Sequence, residues 1–385
     1  MAIAAEPLLR VDRRPNDIPN IRDFLPENAP QPEIWVAGYP SFVGGADTEM
    51  DHQITLWRES GVEVHLCPVD GFNPEHHDPR MVESVVNRGC HVHQYEHGIF
   101  AGKLVFALCN DQVLKKAAEI ALSGRPASLV WGNCMTWTME AEKNAHSLGL
   151  IDLHCFQSDY QKKRLMNELE QVNGDVATWE DYHPWFDWTR FPMREKTTGN
   201  YFGVGRISRD DSGKFHPLTW RMFGKVCAPL PVKAFVLGFG ENIEGAYGKP
   251  DDLEKGGVPW LDYMLWSPGG ETVNEFFQRI DVLIHITANS RENWPRCVME
   301  AWANGVIPIT DNDWGLVEMI EDGVNGFRVG SPEEASYRAS QLAFDLELRR
   351  EMQAAGLREI RQKHGDAVKA VRSWAELFCQ VFNWS

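Results

Sequence analysis

The sequence predicts an α/β protein built as two successive domains, each around a parallel, doubly wound sheet. Three observations carry that expectation. Apolar runs of strand length alternate with segments of helical period, which is the pattern of parallel strands joined by crossover helices. The alternation breaks at Gly174–Thr198, a stretch crowded with Trp, Asp, His and Pro, and then restarts at Tyr201. The 385 residues, 43% hydrophobic and 24% charged, are enough for two ordinary cores.

The elements follow in order. Residues 1–31 show no sustained period and read as an N-terminal extension. The run from Glu33 to Gly38 is apolar and ends in glycine, as a buried strand does. After the loop at Gly44-Gly45, the stretch Met50–Gly61 has helical spacing and a glycine stop. A strand at Val62–Cys67, a helix near Pro79–Asn87, a strand near His91–Tyr95 and a helix near Leu104–Leu122 are predicted next. A strand at Ala127–Trp131, a helix near Thr138–Leu148 and a strand at Asp152–Gln157 close the first series. The second series has strands at Tyr201–Arg206, Val232–Leu237, Val282–Ile286, Val306–Thr310 and Phe327–Val329. Helices at Pro332–Phe344, over much of Leu346–His364, and at Ala367–Phe382 end it. The expected domains are therefore 32–195 and 196–366, with 367–385 as a terminal helix crossing back to the first.

Composition narrows the function classes. With 55 acidic against 38 basic residues the formal charge is −17. A chain so acidic is repelled by a phosphate backbone unless its cations gather in one groove, so nucleic acid is a poor default partner. The opening residues lack a basic stretch followed by an apolar one, and no run approaches a membrane span. The eight cysteines are never closer than 19 positions, with no CxxC pair, and several sit in apolar surroundings. They read as buried free thiols in a cytoplasmic protein, without a zinc ribbon.

The most informative segment runs from Ser290 to Gly305. Glu292 and Glu300 stand eight positions apart, separated by Asn293, Trp294, Pro295 and Arg296, which read as a loop turning into a helix. Both carboxylates then face the crevice at the carboxyl ends of the strands, where such sheets bind ligands. Ionised carboxylates suit vicinal hydroxyls, and the amides at a helix start suit a phosphate. The plain alternative is a helix with solvated acids. Arg206 and Lys214 offer a planar fork and a point charge for a leaving diphosphate. By themselves they would also serve as a surface ion-pair cluster. Gly44 and Gly45 permit close backbone approach at a helix start.

The whole segment ENWPRCVMEAWANGVIPITDNDWGLVEMIEDGVNGF resembles the donor-site signature of retaining GT-B-fold glycosyltransferases of the group 1 type. The matching residues are Glu292, Glu300, Ala301, Gly305, Gly315, Glu318, Glu321, Asp322, Gly323, Gly326 and Phe327. Arg206 with Lys214, the turn at Gly238–Gly240 and the Gly44-Gly45 loop fall where the family places its own. The resemblance implies a GT-B architecture, two Rossmann-like domains facing across a cleft. The N-terminal domain would bind the acceptor and the C-terminal domain a UDP- or GDP-sugar. It implies a retaining, hexosyl transfer with no required cofactor and no metal. Glu300 would receive the ribose hydroxyls and Glu292 the transferred sugar. Rival readings on the same fold are a sugar-nucleotide epimerase, a phosphorylase or a non-catalytic sugar-nucleotide-binding module.

The chain departs from the family at the position of a frequent histidine, where Asn133 stands. Asn133 and His97 are therefore the candidate acceptor or sugar contacts, and an asparagine is no general base. The acceptor class is open among carbohydrate, lipid-linked and small molecules, with a modified DNA base a remoter case. Asp311-Asn312-Asp313 matches a metal-binding D-x-D but reads here as a turn. His76-His77 and His91-x-His93 lack a carboxylate or cysteine at matching spacing, so no metal is expected there.

Overall fold

The computed structural model describes residues 18–41, 44–71, 79–191, 201–248, 261–264, 271–288 and 290–385. His76 and His77 fall outside them. The chain forms two compact units. Of the described residues, the first holds those from 18 to Phe186 and takes back Asp366–Ser385, and the second holds Asp187–Gly365.

The first domain has six parallel strands: β1 (Glu33–Val36), β2 (Glu63–Leu66), β3 (His91–Val92), β4 (Leu104–Leu108), β5 (Ser128–Asn133) and β6 (Leu153–Phe156). Their spatial order is β3-β2-β1-β4-β5-β6. The order reverses between β1 and β4, so the loops after these two strands diverge and leave a crevice at their carboxyl ends. Helix α1 (Gly45–Glu59) starts there. Its start depends on Gly44, whose φ of 118° is open to glycine and costly for other residues. A pocket of about 240 Å³ occupies this point, lined among others by Gly38, Ala46, Asp47, Met50, Asn110 and Gln112.

One element corrects the sequence reading. Leu104–Leu108 is the central strand β4 and not the start of a long helix. All five of its residues are buried, between β1 on one side and β5 on the other. A strand covered on both faces is uniformly apolar, and over five residues that pattern is the same as a turn and a half of buried helix. The helices begin only at α2's successors, α3 (Asp111–Lys115) and α4 (Ala117–Gly124), after Asn110 caps α3 by accepting from the Gln112 amide. Here α2 is Pro79–Asn87.

A second correction concerns Cys109 and Cys134, which the structure joins as a disulfide. They are 25 positions apart in sequence but follow the ends of neighbouring strands β4 and β5, with Cα atoms 6.1 Å apart. The remaining cysteines are free, Cys67, Cys90 and Cys155 among them buried.

The tryptophan-rich stretch is part of the core. Trp179, Tyr182 and Trp185 are buried under the first sheet together with Trp57 and Phe106. Helices α5 (Glu140–Ser147) and α6 (Asp159–Asn173) precede that stretch in the chain. The final helix, which becomes α14 below, returns to this same core.

The second domain repeats the topology. Its strands β7 (Phe202–Ile207), β8 (Val232–Leu237), β9 (Leu261–Met264), β10 (Val282–His285), β11 (Ile307–Asp311) and β12 (Phe327–Val329) lie in the order β12-β11-β10-β7-β8-β9. The reversal now falls between β7 and β10. Helices α7 (Thr219–Gly224), α8 (Glu241–Tyr247), α9 (Glu271–Arg279), α10 (Arg296–Ala303), α11 (Leu316–Met319), α12 (Pro332–Phe344) and α13 (Leu346–Glu359) belong to this domain, and α14 (Ala367–Phe382) to the first. Among the described residues no helix is long and apolar enough to cross a membrane.

Helix α14 is held by its start and by one large side chain. Asp366 caps it through the Lys369 amide, 3.0 Å away. Trp374 is 1% exposed, meets Trp57, Phe106 and Trp179 edge-on, and donates its indole N–H to Gln53 Oε1 at 3.2 Å. Replacing Trp374 with Ala should cost about 3–5 kcal/mol, the range for removing a buried aromatic. Chemical denaturation followed by far-ultraviolet circular dichroism measures it. A loss below about 1 kcal/mol would show that α14 contributes little to the first-domain core.

Candidate active site

The side chains with chemistry in the second domain gather at the β7/β10 reversal. Arg206 lies near the end of β7 and is 1% exposed. Its guanidinium is held on three sides. One terminal nitrogen, Nη1, donates to His285 Nδ1 at the end of β10, and the other, Nη2, donates to the carbonyl of Lys214. The ring of Phe215 lies 5.2 Å from its central carbon. The sequence expectation gave Arg206 direct charge for a ligand. The structure spends both of its terminal nitrogens on fixing the Lys214 loop and the His285 ring.

Lys214 ends the short turn Ser212–Lys214, and its ammonium reaches Glu292 Oε1 at 2.6 Å. This pair is half-buried, with side chains 22% and 15% exposed. A lysine and a glutamate 78 positions apart are thus placed together at the crevice.

His285 was not singled out from sequence, although a histidine closing an otherwise apolar strand is a visible signal. Arginine only donates, so His285 Nδ1 is an acceptor and the ring proton sits on Nε2. That N–H points toward Glu292 Oε1, 3.9 Å away. Burial, reinforced by the positive charges of Arg206 and Lys214, holds the His285 pKa well below the usual value, and the ring is neutral. The Cys297 thiol lies 3.3 Å from the same Nδ1. Burial pushes that thiol far up, against the pull of Arg206, so it stays protonated.

The second glutamate differs from the first. Glu300 is in α10, one turn beyond Cys297, and its carboxylate makes no hydrogen bond among the described residues. Burial raises its pKa to about 7, partly opposed by Arg296. A partly buried carboxylate without a protein donor is suited to accept hydrogen bonds from hydroxyls. The start of α10 is capped by Pro295, which brings no side-chain cap to the first-turn amides. Asn293 and Arg296 are buried, and Trp294 packs edge-on against His364, with ring centroids 5.5 Å apart.

The D-x-D carboxylates are committed separately. Asp311 accepts from the amide and the hydroxyl of Thr287, each at 2.9 Å, and Asp313 pairs with Arg291 at 3.2 Å. Together they pin the loop that carries Glu292 to the end of β11.

In the first domain the candidates are placed differently. Gly44 and Gly45 open α1 beside the pocket at the β1/β4 reversal. Asn133 is 1% exposed, and its side chain is taken up locally. Its amide nitrogen donates to Glu142 at 2.8 Å and to the Trp137 carbonyl at 3.2 Å, and its oxygen accepts from the Met135 amide at 2.7 Å. Asn133 therefore braces the loop after β5. The spacing of the strand end was visible in sequence, but the buried Glu142 that claims the amide was not. The His97 ring is 74% exposed, 3.8 Å from Glu119.

Two expectations follow from this geometry. Gly315 closes on the Glu292 loop so tightly that a Cβ there would lie 2.1 Å from the Asn293 carbonyl oxygen. Gly315→Ala should therefore displace residues 292–295 and lower nucleotide affinity at least tenfold in calorimetry, although no group offered to a ligand is removed. Unchanged affinity would mean that this loop is not part of the site. Glu300 adds a pH signature. Between its ordinary value near 4.5 and its folded value of about 7, the folded chain keeps a proton that the unfolded chain has lost. Stability falls as pH rises through that window, and the loss is complete above it. Melting temperatures from pH 4.5 to 8 should show that decline in the parent chain and a flatter profile in Glu300→Gln.

Residues 262–358 match the family described as "Glycosyl transferases group 1". No curated protein matches the chain. Among solved structures, HepE of Anabaena, in complex with UDP-glucose, aligns over 90% of this chain and 99% of its own, at 16% identity and a TM-score of 0.68. A glycosyltransferase from Rickettsia africae aligns over 93% and 100%, at 13% identity and 0.65. Sucrose-phosphate synthase from Thermosynechococcus elongatus aligns over 92% and 100%, at 11% identity and 0.62. These likenesses show the GT-B fold.

Proposed function

We propose that this GT-B glycosyltransferase, whose second domain carries the group 1 signature, moves a sugar from a nucleoside-diphosphate sugar to an acceptor hydroxyl with retention of anomeric configuration. The observation that carries the reading is the Lys214–Glu292 pair at the β7/β10 reversal, backed by buried Arg206 and neighboured by Glu300. A phosphate-seeking cation and two hydroxyl-seeking carboxylates stand at the edge where doubly wound sheets bind ligands.

The chemistry follows from charge. As the bond from the anomeric carbon to the diphosphate breaks, negative charge builds on the departing oxygen. The Lys214 ammonium, released from Glu292 by the arriving diphosphate, neutralises that charge in a half-dry site where it is worth most. Arg206 acts behind it as a positioning residue, through the Lys214 carbonyl, and as a fixed positive field. The acceptor hydroxyl approaches on the face the diphosphate leaves, its oxygen bonds the anomeric carbon, and a diphosphate oxygen takes its proton. Glu292, freed from Lys214, accepts from the transferred sugar, and Glu300 accepts from the ribose. The protein's contribution is placement and electrostatics, with no side chain required as a base. The reading includes no metal at this site, in keeping with the separate commitments of Asp311 and Asp313.

Because HepE holds UDP-glucose, UDP-glucose leads a donor panel that should include GDP-, ADP- and TDP-sugars. Thermal shift against the panel tests the donor site: a ligand at 100 times its Kd adds about 2.7 kcal/mol. If no nucleotide or sugar nucleotide raises the melting temperature, the reading fails.

The residue roles have their own test. Lys214→Ala should lower turnover roughly 10²- to 10³-fold, the effect of losing one electrostatic stabiliser. Glu300→Gln should weaken the bare diphosphate and its sugar alike, by about ten- to a hundredfold. Glu292→Gln should spare the bare diphosphate while lowering turnover of the complete donor. Calorimetry beside initial rates separates these, and loss of diphosphate affinity in Glu292→Gln alone would reverse the two assignments.

A further inference from the structure

The first domain brings together, at the amino ends of β1 and β2, residues that the sequence reading left apart. Strands β1 and β2 pair in parallel with Glu33 beside Glu63 and Trp35 beside His65. Residues two apart on a strand share a face, so Glu33, Glu63 and His65 stand on one side of the sheet. His65 is paired onward with His91 of β3, and the backbone N–H of His93 donates to the Leu66 carbonyl. This edge is opposite the carboxyl edge where the β1/β4 pocket lies.

The side chains converge. His65 Nε2 is 3.8 Å from Glu33 Oε2 and 4.0 Å from Glu63 Oε2, and one ligand atom from each residue lies within 4.8 Å of the others. His65 Nε2 is buried and has no hydrogen-bond partner. Its other nitrogen, Nδ1, is 2.9 Å from His93 Nε2. The ring is further fixed by stacking on Trp35, with centroids 4.5 Å apart and planes 5° from parallel. Rotation is thus blocked, and one imidazole nitrogen is aimed between two carboxylates at distances too long for hydrogen bonds.

We propose that Glu33, Glu63 and His65 form a binding site for a divalent transition-metal ion, with zinc the best match. Imidazole with carboxylates is a borderline-hard donor set that suits Zn²⁺ and excludes a thiolate-selective ion. A tetrahedral ion with bonds of about 2.1 Å needs donor atoms roughly 3.4 Å apart. The two distances from His65 Nε2 to the glutamate oxygens, 3.8 and 4.0 Å, close to that spacing by small rotations of the glutamate side chains, and water completes the shell. The ion selects the tautomer in which His65 Nδ1–H donates to His93, the outer-shell contact that orients a metal-bound histidine. Lys103 bonds the other oxygen of Glu33 and leaves Oε2 for the ion. Such a site would tie β1 to β2 at the edge where β3 is only two residues long. It is separate from the transfer site and stands whether or not the transfer reading does.

The test uses the full chain, stripped with a chelator and titrated with ZnCl₂ in equilibrium dialysis, beside Glu63→Gln. Glu63 is 47% exposed, so this variant keeps the fold, as circular dichroism would verify. One zinc per chain in the parent, and affinity at least tenfold weaker in Glu63→Gln, is the expected result. Co²⁺ should bind with a visible spectrum free of thiolate charge-transfer intensity. Equal affinity in the two proteins, no zinc uptake, or a sulfur-bound cobalt spectrum would each overturn the proposal.

Discussion

The guanidinium of Arg206, buried between two strands and a loop, is the interaction on which the second domain's site depends. A charged group taken out of water is costly unless its donors are satisfied. Here its two terminal nitrogens are satisfied by the ring of His285 and the carbonyl of Lys214, with an aromatic face alongside, while Nε is buried without a hydrogen-bond partner. Those two partners are the pieces that must be positioned. His285 terminates β10, next to the loop that carries Glu292, and Lys214 terminates the turn after β7. One side chain therefore fixes the tautomer of a histidine and the height of a lysine, and a single desolvation penalty is shared by both tasks.

The same logic explains the asymmetry of the two glutamates. Glu292 already has a cation at 2.6 Å, while Glu300 sits in a partly dry setting that lifts its pKa to about 7. The first carboxylate is paired with a cation, and the second has no hydrogen-bond donor among the described residues. Equal side chains eight positions apart thus acquire different chemistry from their surroundings, as α10 and its preceding loop present them.

Much of this was legible in sequence. Spacing and the group 1 resemblance singled out Arg206, Lys214 and Glu292, which the fold brings together, and the terminal helices Pro332–Phe344 and Ala367–Phe382 match to the residue. What escaped was whatever depends on lateral neighbours. Leu104–Leu108 reads as helix because a strand buried on both faces loses its period of two. That Glu142 accepts from the Asn133 amide is likewise set only by the fold. His91-x-His93 lacks acidic company along the chain, yet parallel pairing sets neighbouring His65 between Glu33 and Glu63 of adjoining strands. Cys109 and Cys134 meet for the same reason.

The return of α14 to the first domain has a consequence for how the chain is made. Gln53 and Trp374, joined by a hydrogen bond, are 321 residues apart. The first domain's core thus remains open on one side throughout synthesis of the second domain, at translation speeds of roughly 5–20 residues per second. Closing so distant a contact is entropically slow. During that interval Trp57, Phe106 and Trp179 present an apolar surface that only residues 366–385 will cover. The second domain, whose residues end at Gly365, is synthesised before the segment that closes the first.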